Sequence, residues 1–150
     1  MEAHYDVPLV VFSVAMALIA CYTALDLAGA VKVASGRGRK WLLLGAIVMG
    51  IGIWSMHFIG MLAYKLPIPI THDISMVLVS MGVAIVTSGG TLYIVSRQQL
   101  GTLGLLFGGI VMGLGIAAMH YTAMAAMQLQ AKARYDPKLV ALSIVIAIFA

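Results

Sequence analysis

The chain has 150 residues, of which 63% are hydrophobic and 9% are charged, and its formal net charge at pH 7 is +4. A soluble domain carries about 25% charged residues, so this composition excludes a water-facing surface over most of the protein and favours a lipid environment. No stretch of the sequence alternates basic with aromatic residues, which argues against nucleic-acid binding. The chain has one cysteine, which excludes an intrachain disulfide.

Apolar segments of about 20 residues are long enough to cross a bilayer as helices. The sequence predicts spans at residues 8–31, 41–64, 74–95, 101–127 and 139–150. The loops between them are short and contain nearly all of the charged residues. The predicted fold class is therefore all-α, a polytopic transmembrane helix bundle. The first residues lack a basic region, so the first span is expected to be retained and not cleaved as a signal peptide.

Lysine and arginine in the loops predict the orientation of the bundle. The first loop contains four of them: Lys32, Arg37, Arg39 and Lys40. Together with Arg97 they give five basic residues on one side of the membrane against four on the other. The side with five is predicted to be cytoplasmic, which places the N-terminus outside.

The sequence also repeats itself at the shift that places residue 57 on residue 120. Residues 47–50 fall on residues 110–113, and the match continues without a gap through Ser80 on Ser143 to residues 84–85 on residues 147–148. The repeating unit is a helix pair, and the two copies are parallel because both begin on the same side. Repeats of this kind place equivalent residues around a shared axis, where membrane binding sites often lie.

The repeat also predicts the extent of the domain. The helix equivalent to residues 74–95 begins near residue 137, and the sequence given ends at Ala150. Twelve helical residues cover about 18 Å, less than the bilayer core of about 30 Å. We therefore expect residues 1–150 to be one domain that is truncated within its fifth helix.

The repeated helices carry a Met-His motif. His57 and Met61 are four residues apart, as are His120 and Met124, so each pair lies on one helix face. Imidazole binds copper, zinc, iron and nickel, and thioether sulfur favours Cu(I). Hard cations that prefer oxygen ligands are excluded. Both histidines are predicted about 10 Å from the outer boundary, where two helices can form one four-ligand site.

A structural role is the alternative for these residues. An intramembrane histidine can be a hydrogen-bonded core residue, and methionine commonly fills gaps in cores. The duplication in register favours a functional pair. Four glycines below the histidines are expected to let the two motif helices pack directly on one another: Gly50, Gly52, Gly113 and Gly115.

The first helix carries a weaker copy of the motif, in which Cys21 aligns with His120. A thiolate can bind Cu(I), although a buried cysteine is more often inert. Asp26 is the only carboxylate within a span, and either a structural contact or a proton relay explains it. His4 and His72 fall in outer segments, as solvated residues or as residues that capture metal.

Residues 119–122 read Met-His-Tyr-Thr, and residues 54–61 closely match the companion copy. With residues 22–28, which resemble the first family segment, they make the chain similar to the bacterial MHYT domain over essentially its whole length. The resemblance implies a multi-pass sensor domain of the bacterial inner membrane, and the loop charges then place its N-terminus in the periplasm.

The resemblance further implies copper bound near the periplasmic face by His57, Met61, His120 and Met124. Two further methionines, Met56 and Met119, are adjacent to the histidines. Cys21 stands where a third histidine would be sought. The implied function is sensing of oxygen, carbon monoxide, nitric oxide or redox state, with a signal passed to cytoplasmic cyclic-di-GMP synthase or phosphodiesterase domains. The segment itself is expected not to be an enzyme.

Two other functions remain open at this point. One is a membrane redox protein that holds haem between His57 and His120. The other is a metal-free membrane anchor or dimerisation module in which the motif serves packing alone. The expected partners are the lipid bilayer, a diatomic gas and a second copy of the chain in a homodimer.

Overall fold

The computed structural model describes residues 4–33, 38–65, 71–97, 101–128 and 137–149. Helix α1 spans Val7–Val33, α2 spans Gly38–Ala63, α3 spans Ile74–Val95, α4 spans Thr102–Ala126 and α5 spans Pro137–Phe149. Four strands of two residues each lie beside the helix ends: β1 (His4–Tyr5), β2 (Tyr64–Lys65), β3 (Thr71–His72) and β4 (Met127–Gln128).

Helices α1 to α4 are each long and apolar enough to cross a membrane. The chain is therefore a multi-pass membrane protein, and the predicted all-α transmembrane bundle is confirmed. The helix bounds agree with the predicted spans within a few residues. The short strands were not predicted, because segments of two residues carry no periodic pattern that a sequence can reveal.

Small residues bring the helices together. Ala24 on α1, Ala63 on α2 and Ala123 on α4 are at most 2% exposed, whereas large aliphatic side chains such as Leu18 and Leu103 are more than 60% exposed. Lipid solvates the large side chains as well as a protein core does, so close backbone packing replaces hydrophobic burial as the force between helices. Helix α3 packs against both α2 and α4, while α1 packs on α2 and α5 packs on α4.

The predicted direct packing of the two motif helices through glycines is wrong. Helix α3 lies against both of them, and α2 and α4 touch each other at few positions. Three of the four glycines meet other helices: Gly50 and Gly115 lie against Ile85 and Thr87 of α3, and Gly52 lies against Ala20 of α1. A Cβ at Gly50 would be only 2.5 Å from the Cα of Ile85. Small residues specify a close approach, but they do not specify which helix approaches.

Two equivalent pairs of short strands, here called clamps, join neighbouring helices at one end of the bundle, which is called the clamped end. Strand β1 pairs antiparallel with β2, and β3 pairs in the same way with β4. The backbone N–H of Asp6 donates to the carbonyl of Ala63, and that of Asp73 donates to the carbonyl of Ala126, both at 2.9 Å. The start of α1 is thereby attached to the end of α2, and the start of α3 to the end of α4. The clamped end also contains the Met-His motifs.

Candidate metal centre

His57 and His120 meet at the clamped end. Each lies six residues before the last residue of its helix, Ala63 in α2 and Ala126 in α4. Their imidazole rings are 4.8 Å apart between centroids, with 79° between the ring planes. The ring contact occurs although the two helices have little other contact. The two imidazoles converge, as the repeat predicted, and this proximity is the first requirement of a shared ligand.

His57 has an imidazole nitrogen without a partner. Its Nε2 atom is buried and forms no hydrogen bond within the described part of the chain. A buried polar atom left unsatisfied costs about 1–3 kcal/mol. A nitrogen in this state has a lone pair or a proton available to a ligand.

A cavity of about 190 Å³ lies beside the two rings. Helices α2, α4 and α5 contribute its walls, with these lining residues: Met56, His57, Ile116, Ala117, Met119, His120, Tyr121 and Ser143. The polar and soft groups of the lining are two imidazoles, two thioethers and two hydroxyls. Imidazole and thioether donors together suit a soft transition metal and do not suit calcium or magnesium.

The methionines of the site divide into two groups. Met56 and Met119, each directly before a histidine, line the cavity. Met119 is 1% exposed and also packs against Ile53, so its thioether is held in a fixed environment. Met61 and Met124, which the four-residue spacing singled out, are half-buried and are not part of the lining. Their role as ligands stays a prediction.

Three equivalent serines fasten the motif helices to their neighbours. Each serine lies six residues after the first residue of its helix, in α1, α3 and α5. The hydrogen bonds are Ser13 Oγ to the carbonyl of Met56 at 2.8 Å, Trp54 Nε1 to Ser80 Oγ at 3.1 Å, and Ser143 Oγ with the hydroxyl of Tyr121 at 2.9 Å. The first and third therefore hold the backbone beside His57 and the side chain beside His120.

Aromatic rings of α2 pack around His57. The Phe58 ring stacks at a tilt on Trp54, with 4.7 Å between centroids, and meets the edge of His57 at 5.9 Å. The exposed His72 of β3 contacts the same Phe58 ring at 6.2 Å. Phe58 thus contacts both His57 and the outer His72. The side chain of His4 lies outside the described residues.

Cys21 and Asp26 are both exposed on α1. Cys21 is about 21 Å along α1 from its first residue, by the helical rise, whereas the histidines lie near the clamped end. Within the described ranges, no third histidine, cysteine, aspartate or glutamate joins His57 and His120. Further donors in the described part of the site are therefore the thioethers and hydroxyls of the cavity wall.

Sequence comparison agrees with this arrangement of repeated helix pairs. The chain matches the MHYT family, described as a bacterial signalling protein N-terminal repeat, over residues 50–108 and 113–150. The chain belongs to the MHYT family. The two matched ranges begin in α2 and α4 and follow the internal repeat, so each copy of the family unit carries one Met-His motif of the site.

Relatives of the chain are much longer signalling proteins. The bifunctional diguanylate cyclase/cyclic di-GMP phosphodiesterase MucR of Pseudomonas aeruginosa is 48% identical over 99% of this chain and 22% of its own length. The cyclic di-GMP phosphodiesterase NbdA of the same organism is 42% identical over 96% of this chain and 18% of its own length. The signaling protein YkoW of Bacillus subtilis is 38% identical over the whole chain and 19% of its own length.

The chain therefore spans about a fifth of the length of these relatives. The matched fifth is the MHYT domain, and the enzymatic domains for cyclic di-GMP lie elsewhere in the relatives. The segment itself is accordingly a signalling domain and not an enzyme, as the sequence predicted. No solved structure matches this chain.

Proposed function

We propose that this chain is the sensor domain of a bacterial inner-membrane signalling protein and that it binds copper between His57 and His120. With copper bound, the domain would report a diatomic gas (oxygen, carbon monoxide or nitric oxide) or a change of redox state to a cytoplasmic domain that makes or degrades cyclic di-GMP. The N-terminus and the clamped end lie in the periplasm. The contact of two repeated imidazoles beside a cavity with two thioethers carries this proposal.

The spacing of the two rings fits a shared small ion. A metal–imidazole bond is about 2 Å, which places each ring centroid about 3.2 Å from the ion. Two rings at a near-tetrahedral angle then have their centroids about 5 Å apart. The observed 4.8 Å between His57 and His120 is close to this value without a movement of either helix. The buried, unpartnered Nε2 of His57 supports the same reading.

The lining of the cavity favours a revised set of sulfur ligands. The sequence pointed to Met61 and Met124 by their spacing from the histidines. Met56 and Met119 border the cavity with His57 and His120, and so they are the better candidates. An N₂S₂ set without a carboxylate binds Cu(I) in preference to harder ions. When bound, copper supplies a centre that exchanges an electron or takes up a diatomic gas.

The protein's own groups would tune such a site. Tyr121 and Ser143 place two hydroxyls on the cavity wall. The Ser143 hydroxyl donates to the carbonyl of Val140, so the Tyr121 hydroxyl donates to Ser143 Oγ, and the hydroxyl oxygens can accept a hydrogen bond from a polar guest. Ser13 fixes the backbone at Met56, which sets the direction of the neighbouring His57. The edge contact of Phe58 with His57 helps to set the orientation of that imidazole.

Haem is the second candidate, and the ring spacing disfavours it. An iron with axial imidazoles on opposite faces keeps their centroids about 6 Å apart, because each metal–nitrogen bond is about 2 Å. The ring centroids of His57 and His120 are only 4.8 Å apart, and the rings contact each other at an angle of 79°. This contact leaves no gap between them for a macrocycle. Helices α2 and α4 would have to separate at the clamped end to admit one.

The test is an elemental analysis of the protein after extraction in mild detergent, together with an absorbance spectrum. We expect about one copper per chain, or per pair of chains in a homodimer, and no Soret band. A Soret band with iron would establish the haem reading. Protein that is folded and free of metal, and that fails to take up Cu(I) under reducing conditions, would leave the motif with a packing role in an anchor or dimerisation module.

A further inference from the structure

The whole net charge of the protein belongs to the end of the bundle opposite the histidines. By sequence, the segments that precede α1 or lie between α2 and α3 and between α4 and α5, with the start of α5, contain four basic and four acidic residues: Lys65, Lys132, Arg134 and Lys138 against Glu2, Asp6, Asp73 and Asp136. The remaining five basic residues belong by sequence to the other connections, and the remaining carboxylate is Asp26. The formal charge of +4 is thus the charge of one end.

Basic and aromatic side chains at this end lie at one level along the helix axes. A Cβ added at Gly45 of α2 would be 3.0 Å from the side chain of Leu92 on α3, which fixes the alignment of these antiparallel helices. Trp41 precedes Gly45 by one turn, and Arg97 follows Leu92 by little more than one turn. Trp41 and Arg97 therefore lie at about the same height.

These side chains are directed outward, and within the described ranges they have no acidic partner. Trp41 is 39% exposed and Tyr93 is 53% exposed. The guanidinium of Arg97 lies over the Tyr93 ring, 5.2 Å from its centroid, and its Nη2 donates to the Tyr93 hydroxyl at 3.4 Å. Arg39 and Lys40 are exposed beside Trp41. Among the described residues, no carboxylate forms an ion pair with any of the three basic side chains.

We propose that these five residues, the basic belt (Arg39, Lys40, Trp41, Tyr93 and Arg97), bind the phosphate headgroups of anionic phospholipids. Tryptophan and tyrosine prefer the headgroup level of a bilayer. Arginine presents a fork of donors that matches a phosphate, and lysine adds a compact charge. Clusters of basic residues directly beside a membrane span attract anionic lipids in this way. The site is independent of the histidine pair and does not require a bound metal.

Trp41 is a built-in reporter for this proposal. The chain has two tryptophans, so Trp54→Phe leaves Trp41 as the only one. The full chain is reconstituted in phosphatidylcholine vesicles with about 5 mol% of either brominated phosphatidylglycerol or brominated phosphatidylcholine. Bromine quenches tryptophan on contact, so the ratio of the two quenching efficiencies reports the enrichment of the anionic lipid at the belt. We expect at least fivefold enrichment, since each of the three basic residues near the surface attracts anionic lipid by about 1 kcal/mol, which is about fivefold.

A matched pair of charge variants locates the effect. Arg39→Gln with Lys40→Gln removes two of the three charges of the basic belt and should at least halve the enrichment. Lys132→Gln with Arg134→Gln removes the same charge from the loop between α4 and α5, and should leave the ratio unchanged. Equal quenching by the two lipids in the parent protein would overturn the proposal, and so would an equal loss in both charge variants.

Two further arms separate the lipid from other causes. Inorganic phosphate should not reduce the lipid enrichment more than chloride does at the same ionic strength, because the basic belt binds a headgroup held in the bilayer. A loss of enrichment with phosphate and not with chloride would show that the belt binds free phosphate, and it would overturn the proposal of a lipid ligand. If Trp54→Phe does not insert, the same comparison is made with both tryptophans, because Trp54 contributes equally to the two charge variants.

Discussion

The hydroxyl of Tyr121 on α4 and the hydroxyl of Ser143 on α5 lie 2.9 Å apart on the wall of the cavity that contains both imidazoles. Tyr121 directly follows His120, so the hydrogen bond joins the site to α5. A guest in the cavity would contact both helices at once. Because α5 packs mainly on α4, this hydrogen bond is important for holding α5 in position.

The first prediction concerns this hydrogen bond. Tyr121→Phe and Ser143→Ala should each lower the stability of the protein in detergent by about 1 kcal/mol, the usual net value of one hydrogen bond. The double variant should cost little more than either single one, because both remove the same contact. Thermal unfolding followed by circular dichroism measures the three values. Additive losses would mean that the two hydroxyls act separately.

The second prediction concerns the close helix contacts of the bundle. Gly115→Ala and Gly50→Ala should destabilise the protein by about 1–3 kcal/mol, because a Cβ at either position meets α3 and the core cannot yield. Gly82→Ala is the matched control on α3, since open space surrounds a Cβ there. That change should be neutral or stabilising by up to about 1 kcal/mol through helix propensity. Equal effects at Gly50 and Gly82 would contradict the packing.

Some features of the fold could be predicted from the sequence and others could not. Helix positions follow from hydrophobic length, and the meeting of His57 and His120 follows from the repeat. The position of α3 against both motif helices could not be predicted, because small residues allow a close approach without determining which helix approaches. The equivalence of Ser13 with Ser80 and Ser143 was missed for a simpler reason. The spacing from α1 to α3 is four residues longer than that from α3 to α5, so a single shift does not align them.

The third prediction decides between the two pairs of methionines. Met56→Leu and Met119→Leu should weaken Cu(I) binding about tenfold or more, because these thioethers border the cavity. Met61→Leu and Met124→Leu should change it less than threefold. Leucine preserves volume and apolarity, so insertion should survive. Competition with a Cu(I) chelator under reducing conditions measures the affinity. The reverse order would restore the ligand set that the four-residue spacing indicated.

The fourth prediction tests the orientation of the clamped end. In a Cys21→Ala background, a cysteine placed at His72 should react with a membrane-impermeant maleimide added to intact cells. A cysteine placed at Arg97 should react only after the membrane is permeabilised, because it belongs to the end with the excess of basic residues. Labelling at 97 and not at 72 in intact cells would put the histidine pair on the cytoplasmic side.

The fifth prediction tests the ligands themselves. His57→Ala and His120→Ala should each abolish most copper binding, because each removes one of the two imidazoles that meet at 4.8 Å. His72→Ala is the matched control: it removes an exposed imidazole at the same end that contacts Phe58 and not the pair. Insertion should be unaffected, since alanine is better tolerated in lipid than histidine. Elemental analysis and a chelator titration give stoichiometry and affinity. If both alanine variants bind copper as the parent does, the histidines are not ligands, and their contact serves to pack α2 on α4 at the clamped end.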